Sequence, residues 1–186
     1  MGRHLVLSEV TSNYTGYFIV PNYTAPIHRD PSQSFWARLA AESGKATEEI
    51  PKKQVSSVEE LSEEERLALR HWLEQDGGYV SEENWDNFLA DLVDVGLITN
   101  QERLSITGPF IPLCPGSMEQ VNRLWDTWEG DPVSWLTQVS RCFEKSLQWI
   151  RNGNDLGLDI PHVWNLADHK MSYDTIAQIT QSILGR

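Results

Sequence analysis

The sequence predicts a mainly α-helical protein, an irregular or orthogonal bundle of five to six helices with an extended N-terminal arm. Three observations point there. Apolar residues recur at the 3.6-residue period of helix faces, most clearly Trp85 with Phe88, Leu89, Leu92 and Val93, and Trp135 with Leu136, Val139, Cys142, Phe143 and Ile150. Serine or threonine followed three residues later by an acid or amide recurs ahead of such runs, the spacing of a capping box. Helix-stopping Gly and Pro fall between the runs. The chain has 8 tryptophans in 186 residues. At roughly 150–250 Å² each and about 25 cal/mol per Å², they represent a gross driving force on the order of 40 kcal/mol, enough for folding without a metal or disulfide.

Residues 1 to about 55 read as the arm, punctuated by Pro21, Pro26, Pro31 and Pro51 among Ser, Thr, Asn and Tyr. Within it, Val10 to Val20 suits one short strand. Ser34 to Ser43 suits a short helix with Phe35, Trp36, Leu39 and Ala40 on one side. Residues 56–186 form the helical domain. Ser57 with Glu60 and Ser62 with Glu65 are successive capping boxes for a helix carrying Leu67, Leu69, Trp72 and Leu73 and stopping at Gly77-Gly78. Ser81 caps the next helix, which bears Trp85 and closes at Gly96, where left-handed geometry costs glycine least. Thr99 with Glu102 opens a short helix around Gln101 to Leu104. Beyond the breaker-rich stretch Gly108-Pro109 to Pro115-Gly116, Ser117 with Gln120 opens a helix bearing Val121, Leu124, Trp125 and Trp128. Asp131 as N-cap and Pro132 at the first position start the helix Pro132 to Arg151, read as the longest and central one. Gly157 and Pro161 mark an irregular stretch, followed by a last helix from about Tyr173 to Leu184.

The stretch Leu61 to Leu104 carries Ser81-Glu82-Glu83-Asn84-Trp85, Phe88-Leu89, Asp91-Leu92-Val93 and Gly96-Leu97-Ile98, followed by Thr99-Asn100-Gln101-Glu102. It resembles a helical segment of short uncharacterised proteins from Gram-positive anaerobic bacteria. The resemblance implies a bacterial origin and no chemistry.

A formal charge of −12 opposes binding to phosphate backbones, whose affinity comes from Lys and Arg releasing counterions, so neither nucleic acid nor an anionic membrane is an expected partner. Cys114 and Cys142 are too few for a disulfide framework and lack metal-ligand spacing, as befits a cytoplasmic protein with reduced thiols. Arg3 and Leu5-Val6-Leu7 are interrupted by Ser8 and Glu9 before a secretory core forms. Asn13-Tyr14-Thr15 and Asn22-Tyr23-Thr24 match the glycosylation acceptor and are read as coincidental.

For chemistry, Cys114-Pro115-Gly116-Ser117 is C-x-x-S just before a helix start. It resembles the monothiol form of the thioredoxin and glutaredoxin active site, with Ile160-Pro161 downstream, where those folds place a proline. Such a site would stabilise a thiolate with the helix dipole and free amides. That architecture needs flanking strands, whereas here the flanks are broken by proline or helical, so Cys114 is kept as a candidate reactive thiol only. An EF-hand loop begun at Asn152 places Asn154 and Gly157 correctly but puts Leu156 at position 5 and Val163 at position 12. One begun at Glu74 has Trp85 at its twelfth place. His162 and His169, with Asp159 and Asp168, form the one cluster of His and carboxylate. No catalytic set, metal site or cofactor is assigned. Trp125, Trp128 and Trp164 are candidate interaction residues if they face solvent. The leading expectation is a non-enzymatic adaptor that binds another protein through its arm and an acidic or aromatic helix face. A small enzyme at Cys114 and an aromatic-lined carbohydrate or peptide binder are the alternatives.

Overall fold

The computed structural model describes residues 29–46, 50, 52–74, 82–107, 113–127, 131–157 and 160–185, with side chains at 82, 107, 125–127 and 160–162 left outside the description. Within these residues lie seven α-helices: α1 (Phe35–Glu42), α2 (Glu63–Arg70), α3 (Glu82–Val95), α4 (Asn100–Thr107), α5 (Ser117–Thr127), α6 (Pro132–Arg151) and α7 (Ile160–Leu184). Single 3-10 turns occur at Pro31–Gln33 and Val58–Glu60, and no strand occurs among the described residues. The count exceeds the expected five to six because α1, read as part of the arm, is a full member of the bundle. The proposed strand Val10 to Val20 lies outside the described residues, as do Gly77-Gly78, Ser81 and Trp128.

Local sequence explains most of the helix starts. The Ser62 hydroxyl accepts from the Glu65 amide at 3.2 Å while the Glu65 carboxylate accepts from the Ser62 amide at 2.6 Å, so this capping box closes reciprocally. Thr99 and Glu102 do the same for α4, at 3.1 and 2.7 Å. Asp131 accepts from the Ser134 amide at 3.1 Å with Pro132 next to it, and α6 runs over the residues expected. Ser57 makes no side-chain cap and begins only the 3-10 turn. Ser117 is not a cap either; it is the first residue of α5. The helix expected to carry Trp72 ends at Arg70, and Leu67 lies 52% exposed. The last helix begins at Ile160 rather than Tyr173 and spans 25 residues, so α7 is longer than α6. Pro161 is its second residue, where a missing N–H breaks no hydrogen bond.

α6 and α7 pack antiparallel. Phe143 stacks on His169 and tilts against Tyr173, with centroids 5.7 and 5.4 Å apart, and Lys170 bonds Asp174 while reaching Glu144. Trp135 meets Tyr173 at 5.9 Å and Trp85 at 6.2 Å, which joins this pair to α3. Arg70 of α2 donates twice to the Ile183 carbonyl, at 3.1 and 2.7 Å. A cation thus meets the carbonyl end of α7, where the dipole is negative.

The segment before residue 55 is bound into the body where it is described. Phe35, Trp36, Leu39 and Val55 belong to the same buried cluster as Trp85, Phe88 and Phe143. Residues near position 55 also finish α3. The Asp94 carbonyl accepts from Trp36 Nε1 and Gln54 Nε2, and the Val95 carbonyl from the Val55 amide at 2.9 Å. These are the acceptors a helix end leaves without intrahelical partners. Gly96 makes the close fit possible. At φ 86, a Cβ there would lie 2.3 Å from the Gln54 side-chain oxygen.

Candidate functional site

Three places carry polar or exposed groups beyond what packing requires. The first is the outward face of α7. Helical spacing puts positions 164, 168, 171, 175 and 178 on one line, and opposite it Leu166, Tyr173, Ile176 and Thr180 are buried. On that outer line Trp164 is 66% and Met171 65% exposed, with the exposed carboxylate of Asp168 between them. Of the three tryptophans proposed for interaction, Trp164 is therefore at the surface. Trp128 and the Trp125 side chain lie outside the described residues.

The second is the junction of α5 and α6. Cys114 precedes α5 as its sequence suggests, but the residue is only 5% exposed and its thiol donates to the Ser117 hydroxyl at 3.2 Å. The Cys114 amide donates to Ser146 Oγ at 2.9 Å, and that hydroxyl donates to the Cys142 carbonyl at 3.1 Å. An open hollow of about 410 Å³ lies alongside, lined by Cys114, Ser117, Lys145, Gln148, Trp149 and Asn152. Both cysteines are free. Burial pushes the Cys142 thiol above its ordinary value, opposed by Lys145 and reinforced by Cys114.

The third place is an ionic cluster inside the bundle that the sequence reading missed. Asp91 of α3 is fully buried. Its two oxygens take the Arg29 and Arg38 guanidiniums, and Trp72 Nε1 donates to it at 2.7 Å. Arg38 also lies over the Trp72 ring, 4.5 Å from the centroid, a cation–π contact. Asp94, one turn on, reaches Arg29 at 3.5 Å and accepts from the Phe35 amide at 2.9 Å, placing a negative charge at the positive end of α1. Burial raises the Asp91 carboxyl from its ordinary value, while Arg38, Arg29 and the Trp72 N–H pull it down. The signal for this cluster was an acid on the apolar side of α3, between Phe88 and Leu92. The charges balance within the cluster, so it reads as a structural clamp.

His169 and His162 make no metal site that the structure describes. No group of three or more His, Cys, Asp or Glu side chains suited to a metal occurs among the described residues, and the His162 side chain lies outside them. His169 is held in the body: its Nδ1 lies 2.6 Å from the Ser105 carbonyl, tying α4 to α7. Burial pushes its imidazole below the ordinary value, with the Ser105 carbonyl and Asp168 pulling the other way. The unfolded chain therefore takes up this proton at higher pH than the folded one. The stability contribution of His169 is complete above about pH 6.5 and is lost as pH falls toward the depressed folded value. We expect thermal melts to show a steeper loss between about pH 6.5 and pH 5 in the native chain than in His169→Gln, whose amide still donates but does not titrate. Parallel slopes would remove His169 from this role.

No family model matches the chain, and no curated protein or solved structure matches it either. No helix among the described residues is long and apolar enough to cross a membrane.

Proposed function

We propose that this chain is a non-enzymatic bacterial protein of the cytoplasm that binds another protein, and that it does so through the outer face of α7. The observation that carries this reading is the pair Trp164 and Met171, two turns apart and each about two-thirds exposed. Most other large apolar side chains described are turned inward. Exposed tryptophan is a preferred anchor of protein interfaces, and methionine adapts to varied partner surfaces. Asp168 between them and the net charge of −12 favour a partner segment that is amphipathic and basic, with apolar residues to cover Trp164 and Met171 and a Lys or Arg to meet Asp168. In the described part of the arm, residues 29–46, 50 and 52–55, the large apolar side chains are committed to the core, which favours α7 over that part of the arm as the interface.

The test uses a helical peptide with leucines on one face and lysines on the other, against a scrambled peptide of identical composition. The full chain is expected to prefer the ordered peptide, with binding weakened by salt. Trp164→Ala should weaken it about tenfold or more, the range of an interface anchor, while Gln33→Ala, exposed in the 3-10 turn Pro31–Gln33 and off that face, leaves it unchanged. Equal binding of both peptides, indifference to Trp164→Ala, or a stable dimer of this chain that buries the same face would each overturn the reading.

A further inference from the structure

We propose that Cys114 and Cys142 form a reversible intramolecular disulfide, which makes the junction of α5 and α6 a peroxide-responsive dithiol site. Ser146 places the two residues: its hydroxyl accepts from the Cys114 amide at 2.9 Å and donates to the Cys142 carbonyl at 3.1 Å. Cys142 and Ser146 are four residues apart on α6 and so share a face. That is the face on which the turn before α5 is seated. Both thiols are free and enclosed by protein.

Their access to solvent differs. Cys114 borders the hollow formed with Lys145 and Trp149, whereas Cys142 is 0% exposed. A small oxidant therefore meets Cys114 first, and hydrogen peroxide is the class the site fits. The Cys114 sulfur, having given up its proton, attacks one peroxide oxygen. The O–O bond breaks, the sulfur becomes a sulfenic acid, and the departing hydroxide leaves as water with the released proton. The Cys142 sulfur then attacks the Cys114 sulfur, its proton leaves with the displaced hydroxide as a second water, and the S–S bond closes. Two thiols and one peroxide give one disulfide and two waters. Because Cys142 stands ready as the second sulfur, the sulfenic acid is intercepted before it is oxidised further. The new bond ties the turn at residues 113–116 to the middle of α6 and replaces the Cys114–Ser117 contact.

Treating the full chain with hydrogen peroxide and measuring intact mass after denaturing alkylation should show a loss of two hydrogens, restored by dithiothreitol. Digestion without reductant should give one linked peptide pair joining positions 114 and 142. In Cys142→Ala, Cys114 should accumulate as a sulfenic acid that dimedone traps. A second measurement uses the unaltered chain: phenylarsine oxide, which must bridge two neighbouring sulfurs, should protect both cysteines from iodoacetamide together. Oxygen addition without loss of hydrogens, chains linked to one another, an unreacted protein, or no joint protection by the arsenical would each overturn the proposal.

Discussion

Replacing Asp91 with alanine is expected to cost the fold about 3–5 kcal/mol, the usual consequence of leaving a buried ionic cluster without its counter-charge. Arg29 and Arg38 both direct a guanidinium at this carboxylate, and their side chains are only 12% and 18% exposed. Without Asp91, two cations stay in the interior with Asp94 reaching only Arg29, and Trp72 loses the acceptor at 2.7 Å. Against a typical stability of about 5–15 kcal/mol, such a loss shifts the urea midpoint sharply. Adding Arg38→Met to Asp91→Ala should recover part of it, because the second substitution removes one of the stranded charges. A single variant within about 1 kcal/mol of the native chain would show that solvent reaches the arginines and that the clamp is weak.

Phe143→Ala is expected to lose about 3–5 kcal/mol, the range for deleting a fully buried aromatic ring from a site that cannot collapse. Phe143 is 0% exposed and lies against both His169 and Tyr173. Removing it empties the contact between the two longest helices and frees the imidazole that holds α4. Both surrounding rings belong to the one rigid helix α7, so they have little freedom to close the gap. Denaturant unfolding measures the loss directly. A change below about 1.5 kcal/mol, as for a conservative core exchange, would mean that α6 and α7 slide together to refill the space.

The bundle was legible wherever the determining residues lie close in sequence. Asp131 with Pro132, Ser62 with Glu65, and Thr99 with Glu102 each declare a helix start within four residues, and the hydrogen bonds form as the pattern requires. Gly96 likewise marks the end of α3. The first half of α7 was hidden for a physical reason. It carries apolar residues on both faces, Leu166 inward and Trp164 and Met171 outward, which smears the 3.6-residue period that reveals a one-sided helix. Its outward pair became visible as a site only once the helix itself was in place. Cys114 was correctly expected just ahead of a helix. Its enclosure and its link through Ser146 depend on residues 32 positions away, beyond any local pattern. The Asp91 clamp is the extreme case, because its partners lie 19 to 62 positions off and only the acid on an apolar face hinted at it.

The way α3 is finished constrains how the molecule can be made. The groups that satisfy its last carbonyls and its interior carboxylate come from Arg29, Trp36, Arg38, Gln54 and Val55, all synthesised earlier. As the polypeptide leaves the ribosome, those arginines and that indole must wait some 53 to 62 residues for Asp91 and the Asp94 carbonyl to follow them out. The segment from Arg29 to Val55 is therefore made before its native partners, and α1 settles only after α3 has emerged. In this chain α1 precedes α3 in sequence but follows it into place.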